Sequence, residues 1–102
     1  MNQRFSAELL RSLRNDLPIT WVLDLLDVPA KISEGYLRFL CPCCREFHTA
    51  TKRETNLARC FRCKRNFNPI DLVMVVRRVH FPEAVEFLID VRDHSSPSPP
   101  AS

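Results

Sequence analysis

The chain has 102 residues and a mass of 11.9 kDa, enough for one small core and too little for a multidomain enzyme. Its 45% hydrophobic and 26% charged residues are ordinary for a globular protein, and no apolar run approaches the roughly 18 residues that a membrane-spanning helix needs. One glycine, Gly35, stands against eight prolines, which excludes the Gly-rich phosphate loops of nucleotide-binding folds. The opening Met1-Asn2-Gln3-Arg4-Phe5 lacks the apolar stretch of a secretory signal. A cytoplasmic location with reduced thiols is therefore expected, and the odd count of five cysteines also argues against full disulfide pairing.

In chain order, Phe5, Leu9, Leu10 and Leu13 recur at helical spacing after Ser6, a cap residue, and predict a short helix over 5–15. Thr20 is the candidate cap of a second helix that presents Trp21, Val22, Leu25 and Leu26 and stops at Pro29. From Lys31 to Leu40 apolar and aromatic residues alternate about Gly35, the pattern of a hairpin leading into Cys41. Asn68-Pro69-Ile70-Asp71 combines a cap, a proline at the first helical position and an early acid, predicting a helix to about Val79. Phe81-Pro82-Glu83 starts another, with Ala84, Val85, Leu88 and Ile89 at core spacing. A domain over 1–94 and a Ser/Pro-rich tail over 95–102, too poor in apolar residues to order, are expected.

All five cysteines fall between residues 41 and 68. Cys41-Pro42-Cys43-Cys44 and Cys60-Phe61-Arg62-Cys63 form a CxxC-x15-CxxC pattern if Cys41 pairs with Cys44, the gap that a metal knuckle favours over Cys41 with Cys43. Two knuckles complete a tetrahedral four-thiolate site, so Cys41, Cys44, Cys60 and Cys63 are the expected ligands of one structural zinc ion and Cys43 is the spare thiol. His48, His80 and His94 are not expected to bind it. Four protein ligands leave no place for a catalytic water, and neither a nucleophile–base set nor a carboxylate cluster is apparent. The chain is expected not to be an enzyme.

The same segment holds seven Lys or Arg against Glu46 and Glu54, while the rest of the chain carries a slight acidic excess. Basic and aromatic residues interleave there as single-stranded nucleic acid requires, cations meeting phosphates and exposed rings stacking on bases. The candidate contacts are Arg38, Arg45, Phe47, Lys52, Arg53, Arg59, Arg62, Lys64, Arg65 and Phe67. Phe47 or Phe67 would do the stacking, and Phe39 and Phe61 are expected in the core.

Ile19-Thr20-Trp21-Val22-Leu23-Asp24-Leu25-Leu26, the two cysteine pairs, Ile70-Asp71-Leu72-Val73-Met74 and Phe81-Pro82-Glu83-Ala84-Val85-Glu86-Phe87-Leu88 follow one another in an order that resembles the zinc-binding domain of bacterial replicative DNA primases. The likeness covers roughly residues 15 to 92. It implies an α+β fold: a zinc ribbon with a small antiparallel sheet flanked by short N-terminal and C-terminal helices. It also implies that the sheet face beside zinc contacts single-stranded DNA template and helps choose where priming begins. Cys41, Cys60 and Cys63 match the family's ligand positions, and Cys44 stands where the family usually has histidine. Lys64-Arg65-Asn66-Phe67-Asn68 replaces a usual glycine-rich turn. Nothing after residue 92 is expected to supply the catalytic or helicase-binding domain of a full primase, so the module is expected to act with a separate catalytic chain or domain, either in trans or as a piece of a longer chain, and a primase, polymerase or helicase chain is the expected partner. The alternative expectation is a protein-interaction module in which zinc is a scaffold and the apolar faces of the terminal helices dock a replication or transcription partner.

Overall fold

A computed structural model describes residues 5–94 of the chain; the expected tail over 95–102 lies outside them. Helix α1 (Ala7–Asn15) starts as expected, with the Ser6 hydroxyl accepting the Leu9 N–H at 3.0 Å, and it buries Leu13. Helix α2 (Ile19–Leu25) starts one residue before Thr20, which is an exposed position inside the first turn. Its N-cap is Pro18, which has no side-chain acceptor to offer. The missing bond comes from far along the chain: Asn56 Oδ1 accepts the Ile19 N–H at 2.8 Å. Ile19, Val22 and Leu23 point into the core.

Two small antiparallel sheets follow where a single one was expected. Strands β1 (Ala30–Ser33) and β2 (Tyr36–Phe39) pair through a two-residue turn in which Glu34 and Gly35 both have positive φ, 54° and 82°. That double left-handed turn matches the twist of the strands it joins. Strands β3 (Thr49–Lys52), β4 (Leu57–Cys60) and β5 (Arg65–Phe67) form the second sheet in sequence order. One side chain seams the sheets together. The buried Thr49 hydroxyl accepts the Phe39 N–H at 2.7 Å and donates to the Phe39 carbonyl at 2.6 Å, doing the work of a backbone pair between β2 and β3.

Helix α3 (Pro69–Arg77) begins with the anticipated cap. Asn68 Oδ1 accepts the Asp71 N–H at 2.8 Å and Asp71 returns the bond at 3.2 Å, while Pro69 sits in the first turn. The helix ends two residues earlier than expected, at Arg77, because Arg78 turns into the left-handed region at φ 58°. Helix α4 (Phe81–His94) follows, with the His80 N–H bound to Glu83 at 2.8 Å. Strand residues Phe39, Ala58 and Phe67 and helix residues Leu13, Val22, Leu23, Leu72, Val73, Val85 and Leu88 form one buried cluster. Most of the large apolar residues of the terminal helices are thereby used in the fold; among their described residues Phe81 is the exposed large one. No described helix is long and apolar enough to cross a membrane.

Candidate metal centre and the sheet face beside it

The first knuckle leaves β2 and the second leaves β4, so chain pairing brings residues 16 positions apart into contact. The sulfur atoms of Cys41, Cys44, Cys60 and Cys63 all lie within 4.8 Å of one another. Cys41 and Cys63 are 3.8 Å apart, and Cys44 and Cys60 are 3.7 Å apart. A tetrahedral ion with metal–sulfur bonds of about 2.3 Å requires sulfur–sulfur edges of about 3.8 Å. The four cysteines are positioned to hold one metal ion.

The knuckles close alike but differ in their sulfur contacts. The Cys43 N–H, two residues on, points at Cys41 Sγ at 3.4 Å, and the Cys63 N–H, three residues on, at Cys60 Sγ at 3.3 Å. The turns close with Arg45 N–H on the Cys41 carbonyl at 2.9 Å and Lys64 N–H on the Cys60 carbonyl at 2.8 Å. Arg45 and Lys64 occupy the left-handed region, at φ 63° and 57°, a conformation that glycine enters freely and that other residues enter at a cost. Cys43 is exposed and outside the cluster, as expected; its sulfur meets Arg65 Nη1 at 3.1 Å. His48 is exposed and also outside it.

The crowding of thiols spreads their acidities. Burial raises Cys41, but the backbone N–H groups of Cys44 and Cys43 and the adjacent Cys60 and Cys44 thiols outweigh it, leaving the group at about 7. Burial and the neighbouring thiols push Cys63 up to about 12, and burial pushes Cys44 up as well. One thiol of the cluster thus ionises more readily than an ordinary cysteine, while Cys44 and Cys63 hold their protons more tightly.

No protein-family model and no curated protein matches this chain.

Three of the predicted nucleic-acid contacts share one groove. Arg38, Lys52 and Arg59 line a groove of about 480 Å³ on the sheet face turned away from the helices, and no acidic side chain lines it. Arg38 is fixed there by the Thr49 carbonyl at 3.0 Å and Glu34 at 3.2 Å, and Arg59 by Asn66 at 3.2 Å. Arg53 is exposed in the β3–β4 turn, and Arg45, Arg62, Lys64 and Arg65 are exposed around the knuckles. Phe47 is half-buried with the Lys31 ammonium 4.7 Å from its ring centre.

Two phenylalanines exchange their expected places. Phe67 is fully buried and cannot stack on a base, because it points from β5 into the shared core. Phe61, expected in the core, is 55% exposed at the end of the groove, and Tyr36, absent from the candidate contacts, is 51% exposed within its lining. The signal that separates them is strand alternation: Leu57, Arg59 and Phe61 share one face, and Ala58 and Cys60 the other.

Proposed function

We propose that the chain is a zinc-held module that binds single-stranded DNA template in the manner of a primase zinc ribbon and serves a separate catalytic chain or domain of a primase, polymerase or helicase. The observation that supports it best is the groove lined by Arg38, Lys52 and Arg59 without an acid, with exposed rings at Tyr36 and Phe61. Cations and exposed ring faces on one surface are what a flexible polyanion with unpaired bases needs, since each phosphate loses its counterion to an arginine or lysine and each base gains a stacking partner. Zinc is the ion favoured by four thiolates in tetrahedral array, with iron the competing choice for the same ligands. Four cysteine ligands close the coordination sphere, so the ion holds the two knuckles together and the module binds without making or breaking bonds.

Metal analysis of purified protein joined to a titration tests this directly. One zinc per chain, no iron colour, and salt-sensitive binding of a fluorescent dT20 well ahead of the matching duplex are the expected results. Zinc with equal indifference to both DNA forms would refute template binding and leave a structural ribbon.

A further inference from the structure

The C-terminal end of α2, the first knuckle and the C-terminal end of α3 border a cavity of about 190 Å³ that has no lining residue in common with the basic groove. Leu26, Val28, Leu40 and Val75, each half-buried, give it an apolar floor. Its three charged lining residues, Asp27, Arg45 and Arg78, are exposed and therefore stand at the mouth. All three have left-handed backbones, at φ 58°, 63° and 58°. Asp27 follows the cap of α2, Arg78 caps α3, and Arg45 closes its turn on the Cys41 carbonyl at 2.9 Å. Glycine meets no steric penalty at such positions and aspartate tolerates them, but arginine gains nothing from the conformation. Nor does the fold use the two guanidinium groups. Among the described residues, the side chains of Arg45, Arg78 and Asp27 have no hydrogen-bond or ion-pair partner, whereas Arg38 and Arg59 in the groove are both bound. Backbone strain at residues whose charges bond nothing within the described chain is a mark of a ligand site.

Size and charge narrow the occupant. A dry cavity of roughly 150 Å³ takes up one benzene molecule, so about 190 Å³ holds one large apolar side chain. Two cations at the mouth call for an anion close to that side chain, and Asp27 calls for an N–H donor beside it. The last residue of a polypeptide carries all three groups on or next to one carbon atom. An internal acidic residue does not, because its apolar neighbours in an extended chain point to the opposite face. Nucleic acid offers no large apolar side group for the floor, and its phosphates would meet Asp27.

We infer that this cavity receives the free C-terminus of a partner polypeptide that ends in a large apolar residue. The last side chain rests on Leu26, Val28, Leu40 and Val75, the terminal carboxylate lies between Arg45 and Arg78, and the last amide N–H donates to Asp27. The site goes beyond the single-strand binding proposed above and does not depend on it, since the two surfaces share no lining side chain.

The test uses the full chain with its metal and short fluorescein-labelled Gly/Ser peptides with four different ends. One ends in phenylalanine as the free acid, the second is its C-terminal amide, and the third ends in glycine as the free acid. The fourth is an amide with aspartate before its last phenylalanine, which keeps the charge but moves it off the terminus. The first is expected to bind, and each of the others at least about tenfold more weakly. Arg45→Gly and Arg78→Gly relieve the left-handed backbone, so each should retain one metal per chain and yet bring the phenylalanine acid down to the level of its amide. Equal binding of the acid and its amide, equal binding of the aspartate-bearing amide, or no binding of any peptide would overturn the site. Undiminished preference for the acid in both glycine variants would overturn it too. None of these outcomes bears on dT20, whose binding tests the groove alone.

Discussion

Asn56 does more for this fold than its place in a surface turn suggests. Its side chain accepts the Ile19 N–H at 2.8 Å and donates to the Arg14 and Leu17 carbonyls, each at 2.7 Å, so it closes the end of α1 and the start of α2 at once. Its own backbone is left-handed, at φ 56°, which asparagine tolerates better than most residues. At about 1 kcal/mol net for each hydrogen bond, Asn56→Gly should cost about 2–3 kcal/mol. Asn56→Ala should cost roughly 1 kcal/mol more, because it also meets the steric penalty of that conformation. Urea melts of the metal-loaded protein check both, and equal midpoints for the two variants would remove the backbone contribution. Thr49→Val is the matching test at the seam between the sheets: it leaves a buried Phe39 N–H and carbonyl without their partner, and about 2–3 kcal/mol should be lost. Neither role was legible in the sequence. Helical periodicity and the Ser6 and Asn68 caps are local patterns and could be read, whereas Asn56 acts on residues 37 to 42 positions away, which only pairing of the strands reveals.

The two knuckles show where local and distant information meet. Cysteine spacing within a turn is a local property, so the ligand set was readable and Cys43 could be set aside by its gap alone. What the spacing could not show is the cost of the site, with Arg45 and Lys64 held left-handed where glycine would rest without strain. Metal binding of apparent strength roughly 10–16 kcal/mol easily covers two such turns. Cys43→Ser is therefore expected to keep one ion per chain, and Cys63→Ser to lose it and the cooperative melt with it. Proton competition gives the sign of the pH dependence. Cys63, at about 12, and Cys44, also raised, hold their protons at neutral pH and must release them to the ion. Affinity should fall at least about a hundredfold for each unit of acidification near neutrality, and more steeply below about 7, where Cys41 also takes up a proton. Chelator competition at three pH values measures the slope, and a flat profile would show that the ion binds something other than these four thiols.

At the scale of the molecule, the helices and the basic, ring-bearing groove lie on opposite sides of the sheets. The helices cover one side and spend their apolar residues there, while the other side keeps Arg38, Lys52 and Arg59 in solvent reach together with Tyr36 and Phe61. Charge counting in the sequence located the basic segment between residues 41 and 68 but could not sort its members, since the face that a strand residue takes depends on register. The sorting changes what salt should do. If the groove cations alone meet phosphates, about three ion pairs form, and the logarithm of affinity for single strands should fall with that of salt at a slope of about −2. Lys52→Gln with Arg59→Gln removes two of them and should bring the slope to about −0.7, with weaker binding to every sequence alike. Arg45→Gln with Lys64→Gln removes the same charge from the knuckles and should leave the slope near its original value. A slope that drops equally in both pairs would mean that the whole basic segment acts as a diffuse field, with no preference for the ordered groove over the knuckles.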